Sequence, residues 1–459
     1  MHDTAAQKKQ QAALQIVSHL VRSGYTALFA GGCVRDRILF GESSGDIDIA
    51  TNATPQTVSE LFAHTIGVGA QFGVVIVVQG GFPFEVATFR SDVGIGDGRH
   101  PGRVVFTDAR HDALRRDFTI NGMFYDPLTN TIADYVEGQR DLESGVIRAI
   151  GNPQERFRED YLRLLRAIRF AAKFSFIIHE ETWTAIKDHA ISIAQCSPER
   201  IFGEIDRMLR APHPDRALTL LAESGLLKAV LPEVHASIGV EQPPEFHPEG
   251  DVFTHTVKAL GFMAQDPSST LAWSVLLHDI GKKSTMRKLD RLRFNGHDQV
   301  GAHMAGGILK RLRASGDLIE SVEACIENHM HFMNVTSMRL ATLKRMLSRP
   351  TILDELELHR VDCLASHGNV DNVSFIRKRL DEFARQQIKP VPLLRGNDLI
   401  LLGMTPGPLF TTILREIYDL QLDEKIATRD EAIEVVKNRW RGEMRDGKSR
   451  AEMEPPPGV

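Results

Sequence analysis

At 459 residues the chain is too long for one ordinary hydrophobic core, so two to four domains are expected. Its 42% apolar and 25% charged residues are those of a soluble globular protein, and its most apolar stretch, Phe72 to Val78, is far too short to span a bilayer. A formal net charge of -5 argues against bulk attraction to nucleic acid, so any phosphate contacts must come from local clusters of Lys and Arg.

In chain order, the polar N-terminus lacks the apolar core of a signal peptide, which points to the cytoplasm. From Leu28 to Thr51 the sequence reads as a strand-like apolar run, a Gly31-Gly32 turn, an Arg35-Asp36 pair, and Asp46-Ile47-Asp48 set among alternating apolar residues. On a strand, residues i and i+2 share a face about 6 to 7 Å apart. Asp46 and Asp48 can then share two divalent ions about 3.5 to 4 Å apart. Solvated acids on an exposed face would give the same triplet, but two like charges side by side cost stability unless a cation binds them. Glycines at 31 and 32 let the backbone approach a triphosphate closely.

Gly69 to Val78 and Phe82 to Arg90 read as two strands joined by a Gly-Gly turn, extending the sheet that carries the aspartates. Glu85 on the second is a candidate third carboxylate facing the metals, or an edge-strand acid. Ser91 to Arg103 holds four glycines and a proline and is expected to be a loop that closes on the nucleotide. In the segment from His111 to Asn121, Arg116 could bind a phosphate by its planar fork and Asp117 could accept from a ribose hydroxyl; a solvated helix face explains them equally well.

Glu155 to Phe174 is expected as one helix, with Tyr161, Leu165, Ile168 and Ala172 forming an apolar stripe. Asp160 and Arg163, one turn apart, could pair with the edge of a base, or simply with each other. Arg156, Arg158, Arg163, Arg166 and Arg169 outnumber the local acids, so a polyanion is the natural partner.

These pieces resemble the class II tRNA nucleotidyltransferase and poly(A) polymerase family. The likeness runs from about residue 25 to about 235 through Gly31-Gly32-Cys-Val-Arg35-Asp36, Asp46-Ile-Asp48, Arg115 to Asn121, Glu159 to Arg166, and Ser197 to Glu204. The resemblance implies a polymerase-β-like head followed by helical neck and body domains. It implies Mg2+ on Asp46 and Asp48, and the triphosphate at Gly31, Gly32 and Arg35. Ribose and phosphates would lie at Arg116, Asp117 and Asn121. Asp160 and Arg163 would be a protein template reading cytosine or adenine, with Arg166 and Arg169 assisting at phosphates. In such enzymes ATP and CTP are the substrates and the tRNA 3′ end receives C, C and A. Gly69 to Val75 looks like the CCA-adding type, since the basic Gly-Arg-Arg/Lys stretch of the poly(A) polymerases is missing there, and the loop Asp97-Gly-Arg-His-Pro101 resembles the one needed for terminal A addition. Poly(A) synthesis and addition of the terminal A alone stay as alternatives.

In the second half, His255, the adjacent His278 and Asp279, His297, His329 and Asp362 are spread over several segments yet could converge on one divalent metal. A buried His-Asp hydrogen bond without metal is the plainer explanation of any one pair. The assembly resembles the HD phosphohydrolase family over roughly residues 246 to 370. That likeness implies His255, His278, Asp279 and Asp362 as metal ligands, with His297 and His329 as candidate second-metal ligands. An inert body that grips tRNA and a phosphohydrolase with an RNA-binding head are both open.

The four cysteines, Cys33, Cys196, Cys325 and Cys363, are too scattered for a zinc ribbon or disulfide framework and are expected as reduced thiols. A helix is expected from about Leu409 to Leu420, and another starting at Thr428 with a capping box to Glu431; Gly447 to Val459 lack any apolar period and are expected to be disordered. The fold expected is α+β: a nucleotidyltransferase head with a mixed sheet over 1–150, a helical RNA-binding neck over 151–245, an HD domain over 246–390 and a helical tail over 391–459. The expected partners are tRNA, ATP and CTP, with no membrane and no obligate protein partner.

Overall fold

The computed structural model describes residues 2–41, 45–67, 73–93, 103–245, 247–288, 292–384 and 390–443. The expectations for Asp97 to Pro101, for Gly69 to Phe72 and for Gly447 to Val459 lie outside these residues.

A seven-stranded mixed sheet organises the first part of the chain. Its strands are β1 (Ala27–Ala30), β2 (Asp48–Thr51), β3 (Thr65–Ile66), β4 (Val74–Gln79) and β5 (Phe82–Thr88). After the separate hairpin of β6 (Arg90–Val93) and β7 (Arg103–Phe106) come β8 (Phe124–Asp126) and β9 (Thr131–Ala133). The spatial order is β3-β4-β5-β2-β1-β8-β9. Strand β2 pairs antiparallel with β1, Ala30 opposite Asp48, and parallel with β5, Ile49 opposite Val86. The turn between β4 and β5 is Gly80-Gly81 at φ 59° and 83°, the left-handed pair that a two-residue hairpin of type I′ requires and that only glycine adopts at little cost. Asp48 thus opens a central strand while Asp46 lies two residues before it, outside the strand expected to carry both, and the expected sheet extension is present. Ser91 to Val93 and Arg103, by contrast, are strand rather than loop, because the two arms pair with each other.

Alternation explains why β2 sits where it does. Ile47 and Ile49 are buried while Asp46 and Asp48 are exposed, so one face of the segment belongs to the core and the other to solvent. The N-terminal helix His2–Arg22 covers the core face with Ala13, Ile16, Val17 and Leu20, all fully buried.

Beyond the sheet the chain is almost wholly helical. The single helix expected over Glu155 to Phe174 is two, Pro153–Glu159 and Leu162–Phe174. Asp160 breaks it with an extended backbone at φ −157° and ψ 104°, and its carboxylate accepts the Leu162 N–H at 3.0 Å, a local bond that competes with the helical ladder. The expected apolar stripe survives in Leu165, Ile168 and Ala172. One hydrophobic cluster runs from Ala12 to Ala365, so head, neck and HD helices share a continuous core. A second core spans Phe332 to Phe383, and a third, Leu394 to Val436, belongs to the C-terminal helices. There the helix Pro408–Leu422 forms, and Thr428 makes its capping box with Glu431. All four cysteines are buried and unpaired, as expected of reduced thiols. Among the described residues no helix is long and apolar enough to cross a membrane.

Candidate functional site

The Gly31-Gly32 bend connects β1 to the helix Gly32–Phe40. Gly31 has φ 72°, and a Cβ there would come within 2.9 Å of the Arg116 guanidinium. Glycine is required twice over, for the dihedral and for the close approach. Beside this bend opens a cavity of ≈ 750 Å³, whose walls include Gly31, Gly32, Asp46 and Asp48 from the sheet side. Arg116, Asn121, Asp160, Arg163, Arg166 and Arg169 approach it from the helical side. Residues more than a hundred positions apart in sequence therefore share one cleft.

The acids of the sheet-side wall crowd one another. Asp48, although exposed in the cleft, has its carboxyl held up to about 6, first by partial desolvation and then by the charges of Glu85 and Asp46, against Arg116 and Lys9. The parallel register of β2 and β5 brings Glu85 alongside Asp48. Asp48 and its neighbours Asp46 and Glu85 are hard oxygen donors that repel one another, the donor chemistry that suits a divalent ion such as Mg2+. Lys9 of the N-terminal helix already reaches this wall, with Nζ 2.8 Å from Asp46 Oδ1. No local pattern announces it, because the partners are 37 residues apart.

Every predicted arginine of the basic wall is held by an acid. Arg35 is buried; it donates to Asp36 Oδ1 at 2.6 and 2.8 Å and to Asn121 Oδ1 at 2.6 Å, and lies over the Phe174 ring at 4.7 Å. Asp112, buried and not foreseen, binds both Arg115 and Arg116, at 2.6 and 3.0 Å. Its spacing of three and four residues from them is the helical ion-pair signature that would have exposed it. Arg166 donates twice to Asp117 Oδ2, at 2.8 and 2.6 Å, while Asp117 Oδ1 accepts from the Phe118 N–H and from Asn121. Burial alone would raise the Asp117 carboxyl, but Arg166 outweighs it and holds the group at about 2. Asp117 thus serves first to fix Arg166. Arg169 donates to the buried Glu204 at 2.7 Å.

The pairing of Asp160 with Arg163 does not form. Arg163 reaches back to Glu159 at 2.6 Å and to the Arg156 and Arg115 carbonyls, whereas Asp160 accepts from Arg200 at 2.7 Å. The helix break at Asp160 is the cause, since it turns that carboxylate away from the face that Arg163 occupies. Both side chains still line the cavity.

The second constellation gathers in the body. His255 lies on the helix Val252–Gly261, His278 and Asp279 follow the helix Ser269–Leu277, and Asp362 lies on the helix Ile352–Ala365. His255 Nε2 stands 3.2 Å from His278 Nε2 and 3.1 Å from Asp362 Oδ1, and His278 Nε2 is 3.3 Å from Asp279 Oδ2. His297 Nε2 is 3.2 Å from His329 Nε2 and 3.6 Å from the other Asp279 oxygen. All six predicted residues converge.

Donor chemistry tests whether a metal fits. Nδ1 of His278, His297 and His329 each meets a backbone carbonyl at 2.9, 2.9 and 2.6 Å, and Nδ1 of His255 meets Glu249 at 2.6 Å. A carbonyl or carboxylate can only accept, so these Nδ1 atoms carry protons and fix the ring orientations, and each Nε2 faces inward, where a metal ion would take the place of a proton. Ligand atoms on one ion with bonds of about 2.1 Å lie about 3.4 Å apart, matching these separations. Glu249, Asp279 and Asp362 set three carboxylates against the histidines, and Lys282 contacts Asp279 at 2.7 Å, a charge pattern that a divalent cation would complete. Glu249 was missed by the sequence reading; it lies only six residues before His255.

Three protein-family sequence models match the chain. "Poly A polymerase head domain" covers residues 27–148, "Probable RNA and SrmB- binding site of polymerase A" covers 175–238, and "HD domain" covers 252–366. Relatives include the CCA-adding enzyme of Geobacillus sp. (strain WCH70), 43% identical over 217 residues, or 47% of this chain and 53% of that one. The CCA-adding enzyme of Geobacillus kaustophilus (strain HTA426) is 44% identical over 227 residues, or 49% and 55%. The matched region thus spans about half the length of these curated relatives. Among solved structures, the Bacillus stearothermophilus CCA-adding enzyme in complex with CTP superposes at a TM-score of 0.72 with 25% identity, over 95% of this chain and 99% of that one. The Thermotoga maritima CCA-adding enzyme complexed with tRNA shares the fold at a TM-score of 0.58, with 19% identity over 94% and 95%. With the glycine bend, the acid triplet and the arginine wall in one cleft above a helical body, the chain carries a poly(A) polymerase head domain over residues 27–148 and an HD domain over 252–366, and its fold is that of the CCA-adding enzymes.

Proposed function

We propose that the chain is a tRNA nucleotidyltransferase that adds C, C and A to the tRNA 3′ end from CTP and ATP, in the cytoplasm. The observation that carries this reading is the single cavity of ≈ 750 Å³ in which the acids, the glycine bend and the base-reading pair Asp160 and Arg163 meet. The relatives named above, all CCA-adding enzymes, support it. The reaction is in-line attack of the RNA 3′ hydroxyl oxygen on the α-phosphorus; a P–O bond forms, the bond to pyrophosphate breaks, and the hydroxyl proton is lost.

Asp46 and Asp48, with Glu85 beside them, would hold Mg2+, which when bound lowers the cost of the charge developing on the attacking and leaving oxygens. The other roles fall to the chain itself. Gly31 and Gly32 let the triphosphate lie against backbone, and Arg116, locked by Asp112 next to Gly31, supplies positive charge at that spot. Arg35 and Asn121 brace the same wall, Arg166 and Arg169 carry charge toward the phosphates, and Asp117 keeps Arg166 in place. Asp160 would accept the exocyclic amino group of cytosine or adenine while Arg163 donates to the ring. Domain limits at about 150, 245 and 390 go with this reading, with the shared core making head, neck and HD region one mechanical unit.

The test uses tRNAs ending in the discriminator base, in C, or in CC, with CTP and ATP supplied separately and product length read. Addition of C to the first two and of one A to the last is expected. Growth by A on the CC-ended tRNA alone would leave an A-adding enzyme, and long A tails a poly(A) polymerase.

A second activity is favoured by the inward-facing Nε2 atoms of His255 and His278 beside Asp279 and Asp362, the set for a metal-dependent phosphohydrolase. Lys282 and the adjoining cavity of ≈ 500 Å³ would accept a phosphoester. Hydrolysis of a phosphodiester that is lost in His278→Ala, with nucleotide addition kept, is the expected result.

A further inference from the structure

Asp160 has one donor on each oxygen. Oδ1 accepts the Leu162 N–H at 3.0 Å, and Oδ2 accepts Nη2 of Arg200 at 2.7 Å. Arg200 comes from another part of the chain, the helix Pro198–Leu209. One turn further on, Glu204 of this helix, buried to 1% exposure, holds Arg169, so a single helix fixes both the acid and an arginine of the cavity. The helix is itself anchored in the body. Phe202 stacks on Trp273 with centroids 5.4 Å apart and planes at 7°, and Asp206 accepts the Trp273 indole N–H at 3.1 Å.

A carboxylate swings easily about its terminal bond, which has broad and nearly two-fold preferences. Two donors from opposite sides remove that freedom and leave one lone pair on each oxygen for a ligand. An ionised carboxylate only accepts, so it rewards an amino group and repels a keto oxygen. Cytosine and adenine present an amino group on the edge where uracil and guanine present a keto oxygen.

We propose that Arg200 is a positioning residue for nucleotide choice: it holds the Asp160 carboxylate in the one orientation that admits the amino bases and turns away the keto bases. The inference rests on the reading of Asp160 as the base acceptor. It extends that reading by placing part of the selectivity in the RNA-binding segment rather than in the cavity wall, so that the helix gripping the body also sets the reading edge.

The experiment compares the full-length protein with Arg200→Met and Arg200→Lys on tRNA ending in the discriminator base, measuring kcat/KM for CTP and for UTP, and on CC-ended tRNA for ATP. Arg200→Met keeps the length and removes every donor. We expect CTP and ATP to lose about tenfold while UTP does not fall, so the preference for C over U drops by about tenfold or more, the scale of a lost hydrogen-bonding discrimination. Arg200→Lys, which keeps one charged donor, restores part of that preference. Should Arg200→Met fail to fold, the same ratio in Arg200→Lys, intermediate rather than unchanged, decides the question. Equal losses for CTP and UTP, with the wild-type ratio kept, would overturn the inference and make Arg200 a mere brace between helices. A wild-type protein that adds neither C nor A would instead overturn the reading of the cavity, and this inference with it.

Discussion

The two constellations solve opposite electrostatic problems. In the cleft the arginines are held apart by Asp112, Asp117, Glu159 and Glu204, and the acids Asp46 and Asp48 stay exposed across an open space. In the HD cluster the imidazole nitrogens and carboxylate oxygens are pressed to within 3.1 to 3.9 Å of one another, with His255, His278 and Asp279 buried and Asp362 partly open to the adjoining cavity. Pre-paired cations suit a large, polyanionic and exchangeable substrate, which can enter without the wall collapsing on itself in the meantime. A tight nest of imidazoles set against carboxylates suits a small cation. Geometry of the partners, more than the residue types, separates a binding cleft from a metal nest.

That contrast can be broken most directly at the acids. Asp48→Ala is expected to lower CMP and AMP transfer by about 10³-fold or more, with phosphodiester hydrolysis kept, as measured by product length and by release of a chromogenic phosphoester; transfer that survives would remove the cleft as the transferase site. The mirror change, Asp279→Ala, should leave transfer within a few fold yet weaken retention of a divalent metal by at least about a hundredfold, measured by elemental analysis after dialysis. Metal content equal to the wild type would show that the cluster is only a hydrogen-bonded core.

Next in size is the structural cost of a cleft built from pairs. Arg166→Met leaves the Asp117 charge buried and alone, and about 3 kcal/mol of stability should be lost in denaturant unfolding. Acid dependence sharpens the point. Asp117 is held at about 2 against an ordinary 3.8, so its pairing contributes about 2 kcal/mol above pH 4 and loses it as pH falls through about 2. Asp117→Asn should flatten the fall in stability over that range; an unchanged slope would mean that other acids dominate it. The smallest change is expected at the neighbouring acid. Glu85→Gln should reduce transfer by about tenfold, less than Asp48→Ala does, since Glu85 acts beside the pair through its charge.

Much of this could be read from the chain before any coordinates. Alternating burial around Asp46 and Asp48, the Gly80-Gly81 turn, the capping box at Thr428 and the apolar helix before His278 are local patterns, and each has its physical cause within a few residues. The sequence also pointed to the six residues of the HD cluster through a family likeness. The misplaced features were those whose cause is distant. Asp160 breaks the expected helix because its carboxylate caps Leu162 and is claimed by Arg200, and periodicity alone reads straight through it. Lys9 and Glu249 went unnoticed because neither stands in a pattern with its partner.

By itself, then, the sequence determined the kinds of chemistry on offer: paired acids at a glycine bend, an arginine-rich helix, and histidines set beside aspartates. Only tertiary structure decided which charges answer which. A side chain of given type binds whatever complementary group the packing of other elements delivers, and here the delivering element is often a helix from a distant part of the chain, as with Arg200 for Asp160 and Glu204 for Arg169. Spacing along a strand or helix fixes a face; long-range packing fixes the partner.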